Sequence, residues 1–113
     1  MSQWHKFNAK KTIVDGITFA SKAEARRYQE LKLLEHAGQI SGLKLQPTFT
    51  LQPPFVNNLG QHTQAIKYIA DFLYIEDTQT VIEDVKGAET PVFKLKAKLF
   101  MYHYPEIELR VIK

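Results

Sequence analysis

Two apolar runs, Thr63 to Ile75 and Gln79 to Lys86, meet across a short polar stretch around Asp77 and Thr78 and constrain this chain more than any other feature. Both are rich in β-branched and aromatic residues, the composition of strands, and so little chain between them predicts a hairpin. The fold must therefore be organised round a sheet. Yet Asp71, Asp84 and Lys86 stand inside these runs, where a chain of 113 residues needs its core.

Alternation along a strand turns that conflict into geometry. Asp84 and Lys86, two apart, share a face with Ile82, and Glu83 points to the other side. Asp71 shares a face with Ile69 and Leu73, while Tyr68, Ala70, Phe72 and Tyr74 take the opposite one. A turn centred between Asp77 and Thr78 sets Leu73 against Ile82 and Asp71 against Asp84. Opposed Cβ atoms lie about 4.5–5.5 Å apart, where like charges repel. A divalent cation reverses that sign by taking both carboxylates as ligands. Oxygen donors without cysteine favour Mg2+ or Mn2+ over zinc. Lys86, beside them, can orient or activate a water or steady charge on a phosphate. The plainer alternative is an ion pair of Lys86 with Asp71 or Asp84 at a sheet end.

The remaining elements follow from local signals. Asp15-Gly16 suits the tight turn of a hairpin over Thr12 to Phe19. Ser21 to Ala37 reads as a helix with Ser21 as N-cap and Gly38 as the stop. Leu43 to Leu51, interrupted by Pro47, reads as an edge strand or extended segment, and Asn57 to Gln61 as a turn. A second helix, Pro91 to Tyr104, is capped by Thr90 and ended by Pro105, and Ile107, Leu109 and Val111 alternate as a last strand. The order predicts a mixed α/β (α+β) fold, one domain over residues 1–113 with a central mixed β-sheet flanked by two helices. Residues 1–11, with Lys10 and Lys11, read as a flexible basic arm, on which Trp4 and Phe7 can stack on a base or pack on the domain.

Glu24 admits two readings. It lies three residues beyond Ser21, the spacing of a capping box, which needs no metal. It also lies at the border of the helix's inward face, from which a carboxylate can reach the sheet.

Composition excludes several classes. Without cysteine there is no disulfide framework, thiolate metal site or cysteine nucleophile. His5, His36, His62 and His103 lack ligand spacing, and no glycine-rich phosphate loop occurs. The apolar stretches fall short of the roughly 20 residues of a membrane span, so a cytoplasmic protein without membrane partners is expected. Seven of the fifteen basic residues lie in the first 32, and Lys86, Lys94, Lys96 and Lys98 follow an acidic centre. That distribution suits a polyanion drawn toward a cation site, although an ordinary solvated surface produces it too. Lys10 and Lys11 on the arm, Lys22, Arg26 and Arg27 on the first helix, and Lys94 and Lys98 on one stripe of the second, are the candidate backbone contacts.

"SKAEARRYQELKLLE", "YIADFLY" and "VIEDVKG", in that order and followed by a lysine-bearing helix, resemble the PD-(D/E)XK nuclease superfamily over residues 6 to 112. The resemblance is closest to a small group of uncharacterised phage and prophage proteins. It implies a restriction-endonuclease-like core in which Asp71 and Asp84 ligate Mg2+, with Mn2+ able to substitute. It also implies the Val85 carbonyl as a further ligand, Glu24 acting through the metal or its water, and Lys86 handling the nucleophilic water. The proline that precedes the first aspartate in that superfamily is Ala70 here. The implied activity is endonucleolytic hydrolysis of DNA in phage replication, recombination or packaging, with branched DNA such as a Holliday junction among the substrates. Phage replication or recombination proteins are the implied protein partners, and a homodimer would suit a two-strand cut. The choice of DNA over RNA follows from the resemblance alone. Two other readings stand beside it: a nucleic-acid-binding or docking protein that keeps the fold without cleavage, and a small adaptor.

Overall fold

The computed structural model describes residues 11–113; Trp4, Phe7 and Lys10 of the expected arm lie outside them. The described residues open with the expected hairpin, β1 (Thr12–Val14) and β2 (Ile17–Phe19), turned by Asp15 and Gly16 at φ 53° and 74°. The first helix, α1, runs Lys22–His36, with the Ser21 hydroxyl accepting from the Glu24 amide and Ala37 as C-cap. Strands β3 (Ser41–Leu45), β4 (Thr48–Gln52), β5 (Phe55–Val56), β6 (His62–Thr63), β7 (Ile66–Ile69), β8 (Phe72–Glu76) and β9 (Gln79–Val85) follow. The second helix, α2 (Pro91–His103), starts at Thr90, whose hydroxyl accepts from the Phe93 amide, and β10 (Glu108–Ile112) ends the chain.

The central sheet is mixed, in the order β10-β9-β8-β3, with β10 parallel to β9 and the other neighbours antiparallel. The two helices cover its opposite faces. On the α1 face, Ala25, Tyr28 and Leu31 pack with Phe19, Ile40, Phe72, Tyr74 and Val81. On the α2 face, Phe93, Ala97 and Phe100 pack with Leu51, Tyr68, Ala70 and Ile82. Burial of the larger aliphatic and phenylalanine side chains among these, each contributing about 1.5–3 kcal/mol if fully withdrawn from water, is what makes the sheet's two-sided pattern binding.

The β8–β9 hairpin has the expected register, with Leu73 opposite Ile82. Two expectations need correction. The run from Thr63 to Ile75 is not one strand: β7 pairs with β4, β8 pairs with β9 and β3, and the break falls at Ala70–Asp71. Here the Ala70 amide donates to the Pro47 carbonyl, and the Asp71 carbonyl accepts from the Gln46 amide. The backbone therefore leaves one partner and takes up another. For the same reason Leu43 to Leu51 divides into β3, at the edge of the central sheet, and β4, at the turn made by Gln46 (φ 51°) and Pro47.

Candidate functional site

The break at Ala70–Asp71 places Asp71 at the end of the central sheet. The last bridged pair of the hairpin is Phe72 with Glu83, so Asp71 does not sit opposite Asp84 as a ladder partner. Its amide donates to the Glu83 carbonyl, and its carboxylate accepts from the Val85 amide at 2.7 Å. A side chain thus takes the place of a backbone acceptor. The aspartate is thereby fixed against the stretch that carries Asp84 and Lys86.

Asp84, on the α2 face beside Ile82, is buried. One oxygen accepts from the Tyr68 hydroxyl at 2.6 Å and the other lies 3.3 Å from the Lys86 ammonium. The Lys86 ammonium also sits 4.7 Å from the centre of the Phe93 ring, a cation–π contact that holds the head group over the start of α2. The ion pair that sequence alone offers as the plainer alternative is therefore present.

Glu24 projects from the first turn of α1. Only half of the capping box forms, since Ser21 accepts from the Glu24 amide while the Glu24 carboxylate makes no return bond among the described residues. Glu24 instead lines a cleft of about 340 Å³ together with Asp71, Lys11 and strand β2. A second cleft, of about 260 Å³, holds Asp84 and Lys86 on the α2 side. Glu24 and Asp71 are thus brought together in one recess, and Asp84 and Lys86 in the next.

The two recesses share one electrostatic field. Burial pushes the Asp71 carboxyl up to about 7; the Val85 amide opposes this, Glu24 and Asp84 add to it, and Lys86 draws it down. Glu24 is raised as well, first by burial and then by Asp84, against the pull of Lys86. Among the described residues no three acidic or histidine side chains already ring a point suited to a metal ion. The donor set is nonetheless all oxygen, and the negative charge of its neighbours raises both Asp71 and Glu24. A hard divalent cation relieves that repulsion, so the chemistry of the residues fits Mg2+ or Mn2+.

The other expected contacts divide. Lys11, Lys22, Arg26, Lys94 and Lys98 are exposed. Arg27 is not free for a phosphate backbone. Its guanidinium donates to both oxygens of the fully buried Glu83, at 2.7 and 2.6 Å, and to Glu30 at 3.1 Å. The Glu83 carboxylate also accepts from the Tyr74 hydroxyl, which in turn lies 3.3 Å from Arg110. Glu83 does point away from Asp84, as alternation requires, and it ties α1 to β9.

Three residues of the site escape the sequence reading. Tyr68, the partner of Asp84, sits three residues before Asp71, and only the split between β7 and β8 brings its hydroxyl to β9. Lys67 and Lys96 line the second cleft. Lys96 lies three after Phe93 and four before Phe100, a spacing that marks it as the lysine bordering the buried face of α2. Lys67 carries no comparable signal.

No curated protein and no solved structure gives a significant match to this sequence. Residues 4–113, nearly the whole chain and both clefts with it, match the sequence model of one family, and the chain belongs to that family, described as a protein of unknown function, DUF1064.

Proposed function

We propose that this protein is a metal-dependent endonuclease that hydrolyses DNA phosphodiester bonds. One observation carries the reading: the break before β8 fixes Asp71 to the Val85 amide, beside Glu24 in one recess and next to the stretch of β9 that carries the Asp84–Lys86 pair. The resemblance of the three segments to PD-(D/E)XK nucleases supports it. Asp71, Asp84 and the Val85 carbonyl would hold Mg2+, with Mn2+ as substitute and Glu24 acting directly or through a water. The ion supplies charge neutralisation at the scissile phosphate and a more acidic water. The chain supplies the placement. The Val85 amide fixes Asp71, the Tyr68 hydroxyl fixes Asp84, and Phe93 and Asp84 hold the Lys86 ammonium where it can orient water or accept developing charge. The exposed Lys11, Lys22, Arg26, Lys94 and Lys98 are the proposed backbone contacts.

Action in phage or prophage replication, recombination or packaging in a bacterial cytoplasm, on branched DNA and as a homodimer, belongs to the same proposal. Linear, nicked, supercoiled and four-way DNA incubated with Mg2+, Mn2+ or chelator tests it. Cutting should require metal, and Asp84→Ala and Lys86→Ala should each abolish it without unfolding the protein. Full-rate cleavage by either variant removes these residues from the site.

One observation favours a second reading, in which the fold binds nucleic acid without cleaving it: the acidic groups do not already form a coordinating set among the described residues. Calorimetry separates the two. Uptake of Mg2+ that Asp71→Asn removes supports the nuclease, and no uptake by the wild type supports the binding module.

A further inference from the structure

The two clefts differ in sign. The first carries Glu24 and Asp71 against Lys11, whereas the second carries Lys67, Lys86 and Lys96 against the single carboxylate of Asp84. Lys86 is held in place by Asp84 and Phe93. Lys67 and Lys96 make no ion pair or hydrogen bond among the described residues, although Lys96 is half-buried on α2. Three ammonium groups around one recess repel one another, and only one has a partner. An anion with several acceptor oxygens removes that imbalance, and lysine serves phosphate well as a point charge. The first turn of α2 adds to the field, since Thr90 and Phe93 also line the recess and the helix N-terminus carries partial positive charge.

We propose that the Lys67–Lys86–Lys96 cleft binds a backbone phosphate of a DNA strand, next to the phosphate acted on at the carboxylates. The inference deepens the nuclease reading and rests on it for the identity of the polyanion. Lys67 and Lys96 act as binding residues, and the sheet end then has a cation side and a phosphate side. Asp84 and Lys86 form the wall between the two.

The test is binding of a short DNA duplex to the full chain in chelator, read by fluorescence anisotropy over a range of salt concentrations. Lys67→Gln, Lys96→Gln and their double variant should bind about tenfold more weakly per lysine at low salt. The double variant should reduce the slope of log affinity against log salt by about 0.9, the value for one lost phosphate contact, and each single variant by less. Lys96→Arg should restore most of the affinity. Titration with inorganic phosphate should shift the amide resonances of Lys86 and Phe93 in the wild type and not in the double variant. Unchanged thermal unfolding of both variants shows that the effect is not lost structure. A double variant with wild-type affinity and salt slope overturns the inference, even if the wild type cuts DNA with metal. A reduced slope in a protein that never cuts leaves the cleft standing and removes the nuclease reading, whereas a wild type that binds no duplex removes both.

Discussion

Asp71 is the residue on which the site turns, and its protonation links the site to stability. Its carboxyl is raised from 3.8 to about 7, foremost by burial and then by Glu24 and Asp84. The folded protein therefore holds this proton more tightly than the unfolded chain. That contribution to stability is complete below about pH 4 and is lost as the pH climbs through 7. In chelator, the wild type should lose stability relative to Asp71→Asn across that window, measured by urea unfolding at a series of pH values. A wild type that gains on the variant over the same range contradicts the assignment. At this scale the sequence was partly legible. Alternation correctly separates Asp84 from Glu83, because parity along a strand is a local property. Arg27 looks like any surface arginine until Glu83 is folded against it, since the pair is 56 residues apart in the chain. Lys94 and Lys98 attract notice as a stripe, whereas half-buried Lys96 is recognised only against the buried face of the helix.

Local chemistry settles the elements whose ends it controls. Both helices begin at the hydroxyl residues expected, Ser21 and Thr90, because capping is decided within three residues. The β8–β9 turn is also where the sequence places it, but not with the residues such a turn prefers. Asp77 and Thr78 both have positive φ, 49° and 67°, and a β-branched side chain is poorly suited to that region. Thr78→Gly should therefore raise stability by about 0.5–1 kcal/mol, the relief of strain exceeding the added freedom of the unfolded chain. A denaturation midpoint that falls in this variant would show that Thr78 makes a contact worth more than its strain. The break between β7 and β8 could not be read in advance, since strand-like residues continue straight through it. Its cause is remote: the backbone groups of Gln46 and Pro47 that receive Ala70 and Asp71 lie more than twenty residues earlier.

Across the whole molecule, the class of fold and the two hairpins β1–β2 and β8–β9 were legible, and the pairing of strands distant in the sequence was not. Hairpin, helix, strands, helix and strand imply a sheet between two helices, and the central sheet is mixed because α2 returns the chain to run parallel beside β9. The smaller β5–β6 hairpin has only two residues in each strand, with Phe55 and Val56 exposed. Hydrogen exchange should reflect that division. Amides of β8 and β9, between two buried layers, should exchange slowest, and those of β5 and β6 within the shortest labelling times. Comparable protection in the two hairpins would mean that something absent from the isolated chain covers the smaller one.

The opposite orientation of Glu83 and Asp84 makes β9 intolerant of a change in reading frame. Adding or deleting one residue between Thr80 and Glu83 would deliver the Arg27 partner to the wet recess and the catalytic candidate to the dry interior. Variation in length should therefore collect at the Asn57–Gln61 turn, and β9 should drift only by exchange of one side chain for another.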